Sequence, residues 1–243
     1  SQNIYKPINN NFKKNKIRIG YYSADFRQHV MSDLLIHLFQ THDKSKFELI
    51  GFSFKPGKPD DMHYKIKKSF DKFFDVSLKT DKEVAQLSAD QKVDIAVDLM
   101  GFTTHNRIGI FIEPCAPIKV NFLGYPGTLG SNHDYIIADK ILIPEKNQKN
   151  YSEKIVYLPD SYKLDHSNRK ISNKIFTKEE LGLPKNSFVF CCFNNNFKIT
   201  PNIFNIWMNI LKAVKNSVLW LMIKENNLTI QNNLKKEALK RGI

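Results

Sequence analysis

Short apolar runs alternate with segments of helical periodicity along this chain, and that alternation restricts the folds it can adopt. The run Ile17–Tyr22 is followed by the segment Ser32–Phe39, which places its leucines on one helical face. Further apolar runs of strand length are Phe47–Phe52, Phe73–Val76, Val93–Asp98 and Ile118–Leu123. Segments with helical spacing separate them, at residues 60–70, 81–89 and 106–111. Strand and helix repeated in this order predict an α/β fold with a parallel sheet covered on both faces.

The regular pattern weakens after Ala138, and the polar, aperiodic stretch that follows indicates a linker. A second unit then begins, with strand candidates Phe188–Phe193 and Ser217–Ile223 and with helices predicted from Pro201 to Val214 and over Leu228–Lys240. We therefore expect four regions: a disordered or linker N-terminus at 1–16, a Rossmann-like lobe at 17–160, a linker at 161–186 and the start of a second lobe at 187–243. Two βα units do not make a stable sheet alone, so the second unit either extends the first sheet or belongs to a longer domain.

The formal charge of +13 raises the question of an anionic partner such as nucleic acid or a membrane. The lysines are spread over the whole length and form no basic stripe interleaved with aromatic residues, which argues against nucleic acid. No apolar run of about 18 residues is present, and the polar N-terminus lacks the apolar core of a secretory signal. The three cysteines, two of them adjacent, favour a reducing cytoplasm over a disulfide framework and do not have the spacing of a zinc site.

Two loops follow predicted strands, at the edge where open parallel sheets bind ligands. The first, Ser23–His29, contains Asp25 and His29, a carboxylate and an imidazole that can share acid–base chemistry. A helix that starts just after His29 would favour the neutral imidazole, because a helix N-terminus repels positive charge. The alternative is that Asp25 caps a turn and that His29 is a polar loop residue. The second loop is Gly124–Thr128, and the chain contains no P-loop, dinucleotide fingerprint or nucleophile elbow.

Six segments, taken in order, resemble a known family. They are Tyr22–His29, Leu123–Thr128, Tyr151–Lys154, Tyr157–Pro159, Cys191–Ile199 and Asn216–Leu221. Together they resemble the catalytic region of the O-linked N-acetylglucosamine transferase and SPINDLY-like glycosyltransferase family, and Cys191–Ile199 is similar to the bacterial form of its second-lobe signature. The resemblance covers residues 16–243, so the chain is identified as a fragment of a member of that family.

The resemblance implies a two-lobed GT-B fold with a nucleotide sugar as donor and with no metal or other cofactor. The implied reaction transfers a sugar with inversion to serine or threonine hydroxyls of an acceptor protein, and a UDP-sugar carrying N-acetylglucosamine is the favoured donor. The resemblance also implies tetratricopeptide repeats upstream in the parent protein and a nucleotide-gripping segment beyond Ile243, so that the fragment alone would be inactive. A non-catalytic binding or interaction module derived from the family is the alternative.

The same resemblance implies roles for particular residues. His29 would lie near donor and acceptor with Asp25 beside it, and either of the two could be the catalytic base. Lys198 would pair with the phosphates of the donor, and Asn195 would form a hydrogen bond there. The remaining substrate-binding residues would belong to the loop that shapes the sugar pocket: Leu123, Gly124, Tyr125, Pro126, Gly127 and Thr128.

The sequence departs from the family pattern at two places near these residues. Val30 and Met31 follow His29 where proline and a small hydroxyl residue are usual in the family. Phe102 stands where bacterial relatives often have histidine, and His105 is displaced from that place. These departures leave the detailed shape of the donor pocket open.

Overall fold

The structure is a computed structural model of the chain that describes residues 16–54, 58–164, 171–223 and 227–243. The disorder expected at residues 1–16 therefore falls, apart from Lys16, outside the described residues, as do residues 165–170 of the linker expected at 161–186. The chain divides into two compact units, residues 1–169 and 170–243, and each unit has its own sheet.

The first unit alternates strands and helices as far as residue 122, as the sequence pattern predicts, and its last strands follow without an α-helix between them. Its strands are β1 (Ile17–Ser23), β2 (Phe47–Ser53), β3 (Lys72–Asp75), β4 (Ile95–Asp98), β5 (Ile118–Phe122), β6 (Tyr135–Ala138) and β7 (Lys154–Tyr157). Its helices are α1 (Val30–Thr41), α2 (Asp61–Ser69), α3 (Asp81–Asp90) and the single turn α4 (Gly109–Ile112). The helix α4 begins later than predicted, because the N–H of Asn106 closes a turn on the carbonyl of Thr103 at 3.2 Å instead.

The strands of the first unit form one parallel sheet in the order β3–β2–β1–β4–β5–β6–β7. The strands β2 and β3 are added in turn on one side of β1. The next strand, β4, is added on the other side of β1. This reversal leaves a crevice at the carboxyl ends of β1 and β4. Doubly wound sheets bind their ligands at such a point.

Both faces of the sheet are covered, which is why successive residues of the inner strands are apolar. Tyr21 faces α1 and α2 and meets Phe39 edge to face, with 5.0 Å between ring centroids. Tyr22, the next residue, faces α3 and α4 and lies parallel to Phe52 at 4.5 Å. Contacts of this kind contribute roughly 0.5–1.5 kcal/mol beyond the burial of area. The residues before the first loop are therefore packed tightly on both sides.

The strands β6 and β7 have no counterpart among the predicted strands. The edge strand β7 is the more exposed of the two. Its four side chains alternate between exposed and half-buried, because β7 pairs with β6 on one side only. A short, half-exposed strand lacks the continuous apolar signal that marks the inner strands.

In its described residues, the second unit contains two parallel strands and two α-helices, close to the predicted bounds. They are β8 (Phe188–Cys192), α5 (Pro201–Ala213), β9 (Ser217–Leu221) and α6 (Leu228–Leu239). Pro201 occupies the first turn of α5, where proline is tolerated, and the hydroxyl of Thr200 accepts the N–H of Ile203 at 3.3 Å. The residues 196–198 form one 3₁₀ turn between β8 and α5.

A buried chain of hydroxyl groups ties α3 to β1. The hydroxyl of Ser88 donates to the carbonyl of Cys115 at 2.7 Å. Since that proton is committed, the hydroxyl of Tyr22 must donate to Ser88 Oγ, at 2.5 Å. Burial raises the pKa of Tyr22 well above its usual value, so the phenol keeps its proton.

We expect Ser88→Ala to lower the free energy of unfolding by about 2 kcal/mol, because it leaves the Tyr22 hydroxyl and the Cys115 carbonyl buried without partners. Tyr22→Phe should cost about 1 kcal/mol or less, because Ser88 still donates to Cys115. Urea unfolding of the two variants and the unmodified chain, followed by circular dichroism, measures their free energies of unfolding and so ranks the two losses. Equal losses in the two variants would contradict the inferred direction of these hydrogen bonds.

Candidate active site

Three loops meet at the crevice of the first unit: the β1 loop (residues 24–29), the β4 loop (99–102) and the β5 loop (123–128). The strands β1, β4 and β5 are consecutive neighbours and run parallel, so their loops leave the sheet at one edge. Neighbouring strands lie about 4.8 Å apart, so roughly 10 Å separates the ends of β1 and β5. The topology therefore brings the two sequence-predicted loops together, with the β4 loop between them.

The β1 loop places Asp25 beside His29. The backbone N–H of Asp25 donates to Ser23 Oγ at 2.9 Å, and its carbonyl accepts the hydroxyl of Ser32. His29 is the N-cap residue of α1, and its Nδ1 lies 3.5 Å from Oδ2 of Asp25. The Asp25 side chain is 12% exposed and that of His29 is 37% exposed, so the imidazole is the group that a substrate can reach.

A single proton decides the role of His29 Nδ1. This nitrogen also lies 3.3 Å from the backbone nitrogen of Met31. It can accept a hydrogen bond from that N–H group only when it carries no proton itself. With a proton it donates to Asp25 instead and leaves Nε2 as an unprotonated base. The negative charge of Asp25 favours the second arrangement, and the guanidinium of Arg27, 3.3 Å from Oδ1, holds that carboxylate in place. With the proton on Nδ1, the pair has the arrangement of an oriented general base.

The β4 loop contains no sequence-predicted site residue, yet it supports the β1 loop. The carboxylate of Asp98 accepts the N–H groups of Met100 at 2.8 Å and of Gly101 at 3.1 Å, which folds the β4 loop. The sulfur of Met100 in turn accepts the hydroxyl of Ser23 and the N–H of Ala24, each at 3.4 Å. The sequence signal was an aspartate at the end of an apolar run with a glycine three residues later, a pattern typical of turns.

The β4 and β5 loops touch through their backbones. A Cβ at Gly124 would lie 1.9 Å from the carbonyl oxygen of Leu99, so this contact requires glycine. Gly101 has a φ of +54°, and a Cβ there would come within 2.4 Å of Tyr125 Cβ. Leu123 is buried and has a φ of 68°, an uncommon conformation for a bulky residue. The start of the β5 loop is thus fixed against the β4 loop.

Buried polar side chains fix the far half of the β5 loop. Nδ2 of Asn121 donates to the carbonyl of Gly127 at 2.9 Å. The carboxylate of Glu153, which is only 4% exposed, accepts the hydroxyl of Thr128 at 2.7 Å and the N–H of Leu129 at 2.6 Å. The Thr128 hydroxyl is therefore engaged by the protein itself, whereas Pro126 of the same loop is exposed. The role of Glu153 could not be recognised in the sequence, although it lies within one of the family segments.

Two residues that differ from the family pattern lie at the rim of the crevice. Phe102 is 52% exposed and meets the half-buried ring of Tyr125 edge to face, with 5.6 Å between ring centroids. Val30, directly after His29, is 68% exposed. The rim therefore presents an exposed phenylalanine where bacterial relatives often have histidine, and an exposed valine where the family usually has proline.

The predicted residues of the second unit lie on the loop after β8. Asn195 and Lys198 enclose the 3₁₀ turn, and the N–H of Lys198 donates to the carbonyl of Asn195 at 3.0 Å. Both side chains are exposed, and within the described residues the Lys198 ammonium has no hydrogen-bond or ion-pair partner. This loop follows the carboxyl end of its strand, as the β1 loop does in the first unit.

In residues 16–54, 58–164, 171–223 and 227–243, no helix has both the length and the apolar composition that a membrane span requires. In the same ranges, no group of three His, Cys, Asp or Glu side chains is arranged to hold a metal ion.

Comparison with solved structures confirms the predicted fold class, an α/β fold of the GT-B glycosyltransferase type. A mutant of the O-GlcNAc transferase of Thermobaculum terrenum matches with a TM-score of 0.81 and 27% identity, over 94% of this chain and 43% of that chain. The chain belongs to glycosyl transferase family 41, whose model matches residues 2–174 and 167–243. The resemblance carried by the six sequence segments is thereby confirmed.

Curated relatives agree with this assignment. The probable UDP-N-acetylglucosamine–peptide N-acetylglucosaminyltransferase SEC of Arabidopsis thaliana is 34% identical over 213 residues, which is 85% of this chain and 22% of the relative. The probable UDP-N-acetylglucosamine–peptide N-acetylglucosaminyltransferase SPINDLY of the same plant is 33% identical over 214 residues, which is 86% of this chain and 23% of the relative. The chain therefore spans less than a quarter of the length of these relatives.

We expect Glu153→Ala to lower the free energy of unfolding by about 2–3 kcal/mol, because two buried donors lose a charged acceptor. Hydrogen exchange of the Leu129 amide should become faster by at least about tenfold, since the β5 loop loses its anchor. Glu145→Ala is the control, because Glu145 is 67% exposed and pairs only with Lys140, and it should change stability by less than about 0.5 kcal/mol. Unchanged exchange at Leu129 would show that Glu153 does not hold the loop.

Proposed function

We propose that the protein containing this chain transfers N-acetylglucosamine from a UDP-sugar to serine or threonine hydroxyls of acceptor proteins, with inversion and without a metal ion. The observation that carries the proposal is the Asp25–His29 pair, with Nδ1 and Oδ2 3.5 Å apart at the ligand-binding crevice of a family 41 lobe. The relatives named as UDP-N-acetylglucosamine–peptide N-acetylglucosaminyltransferases support this choice of donor and acceptor.

His29 is the general base in this proposal. Asp25 accepts a hydrogen bond from the protonated Nδ1, so Nε2 is free to act as the base. Nε2 removes the proton of the acceptor hydroxyl while the hydroxyl oxygen attacks the anomeric carbon of the donor sugar. The bond to the donor's diphosphate breaks on the opposite face, and one displacement inverts the configuration. Asp25 acts as the orienting group, because its carboxylate is 12% exposed and already lies against Arg27.

Lys198 and Asn195 act on the leaving group in this proposal. Negative charge grows on the diphosphate as its bond to the sugar breaks, and a fixed ammonium stabilises that charge. Lysine suits this role because a point charge does not need bidentate geometry. Lys198 has no partner of its own within the described residues, so its charge remains available for a phosphate. Asn195 would donate its amide to the same group.

The family resemblance completes the proposal for the parent protein. Tetratricopeptide repeats upstream would bind acceptors, and a segment beyond Ile243 would grip the nucleotide, so residues 1–243 alone should be inactive. The free cysteines Cys115, Cys191 and Cys192 support a cytoplasmic location.

The activity is tested with protein expressed from the complete reading frame, cell extract as acceptor, and labelled UDP-N-acetylglucosamine, UDP-glucose or GDP-fucose. We expect transfer from UDP-N-acetylglucosamine, no loss on addition of EDTA, and a product whose anomeric configuration is opposite to that of the donor. An absence of transfer from every donor would contradict the proposal and favour the non-catalytic module.

We expect His29→Asn in the complete protein to lower kcat by about 100-fold or more, the scale for loss of a general base. Asparagine is a good N-cap residue, so α1 and the melting temperature should change little. His37→Asn, the same substitution within α1, is the control for folding and should retain activity. Near-normal turnover of His29→Asn would exclude His29 as the base.

We expect Lys198→Ala in the complete protein to lower turnover by about 100-fold or more, the scale for loss of one preorganised charge stabiliser. Stability should shift by less than about 0.5 kcal/mol, because the side chain is exposed. Lys212→Ala, at an exposed position of α5, should retain activity. If the two variants turn over equally, the assignment of Lys198 to the leaving group is wrong.

A further inference from the structure

A polar cavity of about 460 Å³ opens beside the β1 loop, on the side of β2 and β3. Phe26 and Phe73 form an apolar part of its wall, and Ser53, at the end of β2, lines it as well. Its volume falls within the range of small-molecule and side-chain pockets. The family resemblance described above implies no ligand for this cavity.

The two carboxylates that line the cavity are committed to backbone groups. Asp60 accepts the N–H of His63 at 2.8 Å and the N–H of Gln28 at 2.7 Å, so both of its oxygens are used. These hydrogen bonds hold the pKa of Asp60 below its usual value, and Asp60 therefore stays ionised as the cap of α2. Asp75 accepts the N–H of Ser77 at 3.0 Å. Neither acid makes an ion pair with a basic residue lining the cavity.

Three cationic side chains line the same cavity: Arg27, Lys58 and Lys67. Among the described residues, Arg27 makes one polar side-chain contact, at 3.3 Å to Asp25, and its Nε is covered without a hydrogen-bond partner. In the part of the chain that the structure describes, the ammonium groups of Lys58 and Lys67 have no hydrogen-bond or ion-pair partner. With the ionised carboxylates of Asp60 and Asp75 in the same lining, the three cations leave one net positive charge, which favours an anionic oxygen ligand.

The imidazole of His63 adds a further polar group. Its Nδ1 lies 2.9 Å from the carbonyl of Phe26, and since a carbonyl only accepts, the proton is on Nδ1. The ring stands perpendicular to Phe73, with 5.4 Å between ring centroids. This hydrogen bond also ties the wall of the cavity to the β1 loop, three residues from His29.

The order of the strands indicates which reactant the cavity serves. The β5 loop, proposed to hold the donor sugar, lies two strands from β1 on one side, whereas the cavity lies on the other side, toward β2 and β3. In an inverting displacement the acceptor and the leaving group occupy opposite faces of the anomeric carbon. An occupant of the cavity therefore approaches His29 from the side away from the β5 loop, and we assign that side to the acceptor.

The geometry points to an acceptor subsite: the cavity lined by Arg27, Lys58 and Lys67 binds an acidic side chain near the modified hydroxyl of the acceptor polypeptide. This inference rests on the proposed transfer to polypeptides for the identity of the occupant. The positive charge of the cavity itself does not depend on that transfer. A carboxylate would gain charge-assisted hydrogen bonds from the guanidinium and the ammonium groups.

The experiment uses a series of peptides that each contain one serine and one glutamate. The glutamate occupies a different position in each peptide, from five residues before the serine to five residues after it. Each peptide has a control in which glutamine replaces the glutamate. The complete protein is assayed at constant ionic strength, because salt screens exposed charges. We expect the best glutamate position to raise kcat/KM about fivefold over glutamine. In Lys67→Glu and Lys58→Gln this preference should disappear, while transfer to the glutamine peptides persists.

Lys65→Glu is the matched control, since Lys65 is an exposed lysine of α2 that does not line the cavity. It should keep the preference for glutamate, and an equal loss in Lys65→Glu and Lys67→Glu would overturn the inference. The absence of any preference in the unmodified protein would overturn it too. Inhibition by inorganic phosphate that is equal for both peptides of a pair and absent in Lys67→Glu would assign the cavity to free phosphate instead.

A binding measurement separates this inference from the proposed function. The same peptide pairs, labelled with fluorescein, are titrated with the 243-residue chain and followed by anisotropy. A preference for glutamate that is lost in Lys67→Glu would support the subsite even if the complete protein transfers no sugar. Equal binding of the two peptides of every pair would overturn the subsite even if transfer is found.

Discussion

A backbone contact between two loops determines the geometry of the candidate site within the first unit. The α-carbon of Gly124 lies so close to the carbonyl of Leu99 that a Cβ would approach it to 1.9 Å. The β4 and β5 loops therefore move together, and the sulfur of Met100 joins the β1 loop to them. Asp25 and His29 are thus positioned relative to the β5 loop before any substrate binds. Such preorganisation reduces the entropic cost of bringing reacting groups together.

Carboxylates near the crevice have two different kinds of task. Asp98, Glu153 and Asp60 each accept two hydrogen bonds from loop or helix-end groups, and so hold the β4 loop, the β5 loop and the junction of α2 with the β1 loop. Asp25 instead turns its carboxylate to an imidazole and a guanidinium. Loss of an anchoring acid would therefore release a loop, whereas loss of Asp25 would leave the fold in place and change the orientation and tautomer of His29.

Sequence patterns predict the inner strands well, because a strand buried on both faces is apolar at nearly every residue. They do not mark β7, whose side chains are half-exposed at the sheet edge. Asp25 and His29 could be paired from the sequence, since four residues separate them across the start of a helix. Glu153 could not, because its partners at Thr128 and Leu129 are 25 and 24 residues away and only the sheet brings them together. Whether the sequence-predicted residues bind substrate remains a prediction.

The order of the sheet also separates the reactants of the proposed reaction. β1 stands at the reversal between two arms of the sheet, with β4 and β5 on one side and β2 and β3 on the other. A base carried by the loop after β1 is therefore accessible from both arms. An inverting transfer requires attack and departure on opposite faces of one carbon, so a base that can be approached from the arm away from the β5 loop suits the proposed reaction. The doubly wound topology provides this access, since each arm ends in its own loops at the same edge of the sheet.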